Sequence, residues 1–200
     1  FKFVRGDALL NLSELTRYQD CGGSLVDGSD VEYPVLISHR WTAAKHPDPD
    51  GTQLRALQHF VNTLADVALV LFASPVEQRK AVPTLAKHGV LQAAILAGRF
   101  ICSHNIPHDR DSFLRGVGVW YDFTCLPQKP RSDAEQELFK ASLGRLFKLF
   151  SSAPVLSMRQ NDRDDYMSRG WCLAEVASGD RSDFTPLSLW MDTQGKSIDL

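Results

Sequence analysis

The feature that most constrains the fold is a series of short apolar runs separated by loops and by segments of helical periodicity. The first run, Val35, Leu36 and Ile37, follows Pro34 and contains no polar residue, as expected of a parallel strand buried on both faces. Further runs begin at Val117, Pro154 and Leu187. Strands that alternate with helices predict an α/β fold with a parallel sheet and helices on both faces.

Helical periodicity lies between these runs. A first long helix is predicted by apolar residues at helical spacing: Leu54, Leu57, Val61 and Leu64. Residues 76–97 are apolar but contain Pro83 and Gly89, which favours two short helices. Ser132 and Glu135 have the spacing of a capping box. The helix that they begin is predicted to have an apolar face of Phe139, Leu143, Leu146, Phe147 and Phe150.

Composition excludes several classes of function. The 200 residues fit one ordinary domain, and a net charge of -2 gives no basic field for nucleic acid. The four cysteines form no C-x-x-C pair, which favours reduced thiols in a cytoplasmic protein. The six histidines lack a metal-ligand spacing, so no metal site is predicted. No apolar run is long enough for a membrane span. Because residue 1 is Phe, we expect a processed product or a piece of a longer chain.

Polar and aromatic residues follow the ends of the predicted strands. Arg40 and Trp41 follow the first strand, and Asp122 ends the second. Trp171 and Glu175 lie four residues apart, on one face of a helix that Ser168 is predicted to cap. The carboxyl ends of parallel strands meet at one edge of a sheet, so these residues are expected to converge there. The competing interpretation is that Trp171 is core and Glu175 is a solvated helix residue.

Two other chemical motifs fail on geometry. Ser38 and His39 are consecutive in or just after a strand, so their side chains point to opposite faces and cannot form a nucleophile and base pair. Gly116 and Gly118 lack the third glycine of a dinucleotide fingerprint, and they precede a strand instead of joining a strand to a helix. Cys125 and Cys172 are expected to be buried small hydrophobes rather than nucleophiles.

The order of these segments resembles the Toll/interleukin-receptor (TIR) family. Residues 35–40 resemble its first strand and exit loop, and Trp120, Tyr121 and Asp122 resemble its second strand. Residues 123–130 then resemble the mobile loop that follows this strand in the family. Residues 168–175, Ser-Arg-Gly-Trp-Cys-Leu-Ala-Glu, are similar to the S-x-W-C-x-x-E segment of plant and bacterial members, with one extra residue before the tryptophan.

The resemblance implies a flavodoxin-like fold and an activity. Residues 34–200 would form a TIR-like α/β domain with a helical insert at about residues 67–114, between the first helix and the second strand, and residues 1–33 would be an extension of undetermined structure. The family usually has only a few residues at the position of this insert. The chain also ends soon after its fourth strand, which suggests a truncated domain.

In the NAD-hydrolysing branch of the family the glutamate is catalytic. The resemblance therefore implies that Glu175 cleaves NAD+ between nicotinamide and ribose, in an immune or cell-death effector that self-assembles and works with a regulatory domain or partner. NAD+ is then a substrate and not a cofactor. Substrate-binding roles are expected for Ser38, Arg40, Trp41, Asp122 and Trp171. Asp122 either hydrogen-bonds a sugar hydroxyl or anchors its loop to a helix N-terminus.

Two other functions remain open at the level of the sequence. One is a non-catalytic TIR module that signals by self-association. The other is a nucleoside-processing enzyme with a similar sheet, such as a deoxyribosyltransferase, which also uses a carboxylate at the sugar.

Overall fold

The computed structural model describes residues 1–73, 91–103, 107–159, 170–179, 187–191 and 197–198. Its seven strands are β1 (Lys2–Arg5), β2 (Leu25–Asp27), β3 (Tyr33–Ser38), β4 (Val117–Trp120), β5 (Val155–Arg159), β6 (Leu187–Met191) and β7 (Ser197–Ile198). Its α-helices are α1 (Gly6–Leu9), α2 (Thr52–Phe72), α3 (Leu91–Ser103), α4 (Arg110–Gly116), α5 (Asp122–Cys125), α6 (Asp133–Phe150) and α7 (Gly170–Gly179). These elements form an α/β fold.

All described strands belong to one sheet, in the order β2-β1-β4-β3-β5-β6-β7. The four strands predicted from the apolar runs, β3 to β6, are present and parallel to one another. The prediction of a wholly parallel sheet is nevertheless wrong, because β1, β2 and β7 pair in antiparallel fashion. The sheet is therefore mixed.

The N-terminal segment supplies two of the antiparallel strands. β1 pairs with the free edge of β4, with Val4 opposite Val119. An edge strand has unpaired backbone N–H and C=O groups, and β1 satisfies those of β4. Phe3 and Val4 are buried, so part of residues 1–33 belongs to the core of the domain.

Helices cover both faces of the sheet. Successive side chains of a strand point to opposite faces, so Tyr33 on β3 faces one side and Leu36, which is in register with Trp120, faces the other. Tyr33 packs on Phe100 of α3 and Phe113 of α4, with ring centroids 5.3 and 5.0 Å apart. On the other face Trp120 meets Phe150 of α6 edge to face, at 5.5 Å. The two groups of helices are thus separated by the sheet.

The long helix α2 confirms the prediction that its periodic apolar residues lie in the core. The four predicted core residues are all at most 2% exposed: Leu54, Leu57, Val61 and Leu64. Gly51 precedes the helix in the left-handed region, with φ 70°. The buried Asp48 carboxylate accepts hydrogen bonds from the backbone N–H groups of Gln53 and Leu54, at 2.9 and 2.8 Å. These bonds satisfy donors of the first helical turn.

Helix α6 begins at the predicted capping box, since Ser132 and Glu135 each bond the other's backbone N–H. Its apolar face is less buried than predicted. Leu146 and Phe150 are buried, but Leu143 is 39% and Phe147 58% exposed. Phe139 is partly buried against the core, so only Leu143 and Phe147 of the predicted face are turned toward solvent.

The predicted insert contributes α3 and α4, which pack with α2 on one face of the sheet. Residues 74–90, where two short helices were expected to begin, and the predicted cap Ser168 lie outside the described residues. None of the described helices combines the length and the apolar character that a membrane crossing requires.

Candidate functional site

Glu175 lies on α7 and is only 6% exposed. Its carboxylate accepts a hydrogen bond from the hydroxyl of Ser38, the last residue of β3. Ser38 is itself fully buried. The structure therefore brings together two of the predicted site residues from opposite ends of the sequence.

The Ser38 and Glu175 pair lies where the direction of the sheet connections reverses. β3 and β5 are neighbours in the sheet; the strand that follows β3 in the chain, β4, lies on the outer side of β3, and the strand that follows β5, β6, lies on the outer side of β5. α7 follows β5 and contacts both β3 and β5. In open α/β sheets, ligands bind in the crevice outside the carboxyl ends of two such strands.

An apolar groove of about 180 Å³ opens beside Glu175, between α6 and α7. Its other lining residues are Leu143, Leu146, Phe147, Phe150, Ala174 and Ser178. Among the described residues of this lining, Glu175 is the only charged one. A carboxylate in apolar surroundings interacts strongly with a cation, because little water screens the charge.

On the other face of the sheet, His39 is buried and stacked on Tyr121, with ring centroids 3.8 Å apart. Its Nε2 lies 3.3 Å from a carboxylate oxygen of Asp122, although the two atoms are not aligned for a hydrogen bond. Burial lowers the pKa of His39, while the nearby Asp122 charge opposes this effect. The imidazole is therefore neutral at pH 7. Ser38 and His39 point to opposite faces, as the sequence predicted.

Asp122 connects His39 with Trp41. The Trp41 indole N–H donates to the second carboxylate oxygen of Asp122 at 3.2 Å, and the indole meets the Phe123 ring edge to face at 5.6 Å. Trp41 is half-buried. Two predicted site residues, Trp41 and Asp122, are thus in direct contact, and Asp122 orients the indole.

Gln53 was missed by the sequence analysis, although it organises the loop after β3. Its side-chain amide donates to the carbonyls of Arg40 and Pro47, at 2.9 and 3.0 Å. Its side-chain oxygen accepts from the Tyr121 hydroxyl at 2.7 Å. The only local signal was a glutamine in the first turn of an otherwise apolar helix face, which does not identify its partners.

The remaining predicted residues differ in how far the structure describes their positions. Arg40 is half-buried beside the site, and the Trp171 side chain lies outside the described part of the structure. Cys172 and Cys125 are buried, as expected. The Cys172 thiol donates to the His39 carbonyl at 3.5 Å, and burial raises the pKa of Cys125 to about 12. Neither environment favours a nucleophilic thiolate.

Within the described residues, no cluster of three or more His, Cys, Asp and Glu side chains has an arrangement that could hold a metal ion. Comparison of the chain with models of known protein families, with characterised proteins and with solved structures produced no match.

Proposed function

We propose that this chain is a TIR-like NAD+ glycohydrolase or cyclase, with Glu175 as its catalytic residue. The observation that carries the proposal is the buried Glu175 carboxylate, held by the Ser38 hydroxyl at the carboxyl end of β3. A carboxylate is costly to bury unless it is hydrogen-bonded, and such groups concentrate at functional sites.

One carboxylate is sufficient for this reaction. Nicotinamide leaves the cationic ring of NAD+ as a neutral pyridine, so no general acid has to protonate it. Ordinary glycosides need a second carboxyl group because their leaving group is an alkoxide. Glu175 would stabilise the positive charge that develops on the ribose and would accept a hydrogen bond from a ribose hydroxyl.

The order of the parallel strands supports a TIR-like fold. Numbered along the chain, β4, β3, β5 and β6 are second, first, third and fourth in the sheet. This is the beginning of the flavodoxin-like order 2-1-3-4-5, whose ligand site lies at the first and third strands. β3 and α7, which follows β5, supply Ser38 and Glu175.

Other residues of this edge would bind the substrate. Trp171 would offer an aromatic face to its rings, and Arg40 would bind a phosphate. Trp41 lines a different cavity from the groove beside Glu175 and is given no role in this reaction. The contact of Asp122 with Trp41 supports an orienting role for this carboxylate. Activity would serve an immune or cell-death response in the cytoplasm and would require self-assembly through this domain.

The test is release of nicotinamide from NAD+ by the purified chain at high protein concentration, followed by chromatography. The Glu175→Gln variant keeps the shape of the side chain and removes its charge, so we expect at least a hundredfold loss of activity, which corresponds to about 2.7 kcal/mol of transition-state stabilisation. Glu137→Gln, at an exposed position of α6, is the matched control and should retain activity. Unchanged activity of Glu175→Gln would refute the mechanism.

A second function, a non-catalytic module that self-associates, is favoured by the exposed apolar residues of α6 and α7. Phe147 is 58% and Leu173 46% exposed. Exposed apolar patches are typical of protein interfaces. If Phe147→Asp abolishes self-association in sedimentation experiments, and the assembled wild type releases no nicotinamide, the module is the better description.

A further inference from the structure

A second and larger cavity, of about 720 Å³, lies between the N-terminal segment, the loop after β3 and the start of α6. Among the described residues, none lines both this cavity and the groove beside Glu175. Its volume is within the range of about 300–1,000 Å³ that is typical of small-molecule sites. The proposed function assigns no role to this cavity as a whole.

The charged residues in the lining are all cations: Arg17, Lys45, Lys129 and Arg131. Lys45 and Lys129 form no ion pair or hydrogen bond with the part of the chain that the structure describes. The nearby carboxylates already have partners. Asp20 pairs with Arg17 at 3.0 Å, and Glu135 bonds the backbone N–H of Ser132 at 2.7 Å. The two lysines therefore remain available to an anion.

Aromatic rings form part of the wall: Trp41, Phe123 and Phe139. The guanidinium of Arg131 lies 3.4 Å from the Phe139 ring centroid, and its Nε donates to the Pro127 carbonyl at 2.6 Å. These contacts orient the guanidinium before any ligand binds. The indole of Trp41 is likewise oriented by its hydrogen bond to Asp122. A planar ring can stack on such fixed groups at a low cost in side-chain entropy.

The loop that carries Lys129 is attached to the N-terminal segment. The backbone N–H of Gln128 donates to the side-chain oxygen of Gln19 at 3.1 Å, and the Gln19 amide donates to the Gln128 carbonyl at 2.5 Å. The cavity therefore depends on residues 17–20, which lie before the first strand of the predicted TIR-like domain. This attachment holds the loop of Lys129 beside Arg17 in the lining of the same cavity.

We propose that this cavity is a binding site for a nucleoside diphosphate, separate from the site at Glu175. Ammonium and guanidinium groups bind phosphate oxygens, and the aromatic wall stacks on the base. The chain's net charge of -2 argues against a long polyanion, whereas one local group of cations suits a compact one. Because Asp122 contacts both Trp41 and His39, a bound ligand lies next to the network behind β3.

The test is titration of the intact chain with ADP by isothermal calorimetry, with adenosine and inorganic phosphate as separate arms. ADP should bind with a micromolar to submillimolar Kd, and each fragment should bind at least about tenfold more weakly. Raising the salt concentration should weaken ADP binding, because the lysines are exposed. Phosphate that binds as tightly as ADP would overturn the assignment of a base-binding wall.

Charge-neutralising variants locate the site. Lys45→Gln and Lys129→Gln should each weaken ADP binding by about threefold to tenfold. Lys148→Gln, at an exposed position on α6, is the matched control and should bind as the wild type does. Equal affinities in all three variants, or no ADP binding to a folded wild type, would overturn the proposal.

A third variant separates this proposal from the proposed function. Glu175→Gln should bind ADP like the wild type, because Glu175 does not line this cavity, and ADP should not compete with NAD+ in any cleavage by the wild type. Loss of ADP binding in this variant, or competitive inhibition by ADP, would show that the two sites are one and would refute a separate site.

Discussion

The hydrogen bond between Ser38 and Glu175 can be tested by a double-mutant cycle that does not depend on any enzymatic activity. Ser38→Ala removes the donor, and Glu175→Gln replaces the charged acceptor by a neutral one of the same shape. The two residues are 137 positions apart in the chain, so their coupling can arise only from the folded structure. The cycle subtracts the effects that each substitution has on its own.

The expected coupling follows from burial and charge. Ser38 is 0% and Glu175 6% exposed, so bulk water screens neither partner well. A hydrogen bond to a charged group contributes about 1.5–3 kcal/mol, and one to a neutral group about 0.5–1.5 kcal/mol. The difference predicts a coupling energy of about 1–2 kcal/mol. The change in the free energy of unfolding caused by Glu175→Gln alone has no such clear sign. Losing the charged hydrogen bond destabilises the fold, whereas removing a buried charge stabilises it.

The free energy of unfolding is measured by urea denaturation at pH 7 for the wild type, both single variants and the double variant. The control pairs Glu175→Gln with Thr63→Ala on α2, which packs on the opposite face of the sheet, and its coupling should stay below about 0.5 kcal/mol. A Ser38 coupling equally small would refute the inference that the hydroxyl holds the carboxylate.

Three further predictions concern the elements around the site. Burial lowers the pKa of His39 from 6.5, so as the pH falls below 6.5 the unfolded chain binds a proton more readily than the folded chain does. The stability that the neutral imidazole contributes is therefore complete above pH 6.5 and is lost as the pH falls through the folded-state pKa. Urea denaturation between pH 7.5 and 5 should show a shallower decline for His39→Gln, and an identical decline would contradict the prediction. Tyr121→Phe leaves the buried side-chain oxygen of Gln53 without its hydroxyl donor and should lower the free energy of unfolding by about 1–3 kcal/mol; a loss below 0.5 kcal/mol would argue against that bond. Ser132→Ala removes the cap of α6 and should cost about 1 kcal/mol in the same assay, with Ser132→Asp as the control that retains a capping oxygen.

Local patterns in the sequence were sufficient to locate the four parallel strands and the helices α2, α6 and α7. Apolar runs marked β3 to β6, and the spacing of Leu54 and Leu64 marked α2. The capping box of Ser132 and Glu135 was confirmed because both partners lie within four residues of each other. Such signals depend only on periodicity and on short-range hydrogen bonds, and a single sequence contains them.

The burial of individual side chains required the tertiary structure. Phe147 has the same periodic position as a core residue, yet it is 58% exposed, because burial depends on which neighbouring element covers a helix face. The pairing of β1 with the edge of β4 could not be predicted for the same reason, since it joins Val4 to Val119 across the whole intervening chain.

The candidate site shows the same division. The sequence by itself predicted that Trp41 follows the first parallel strand, that Asp122 follows the second, and that Glu175 lies in a helix at the same edge of the sheet. Only the tertiary structure decided that Ser38 bonds Glu175 while Asp122 lies between His39 and Trp41. The physical reason is that the strand period assigns a side chain to a face, whereas the packing of distant helices decides what it meets there.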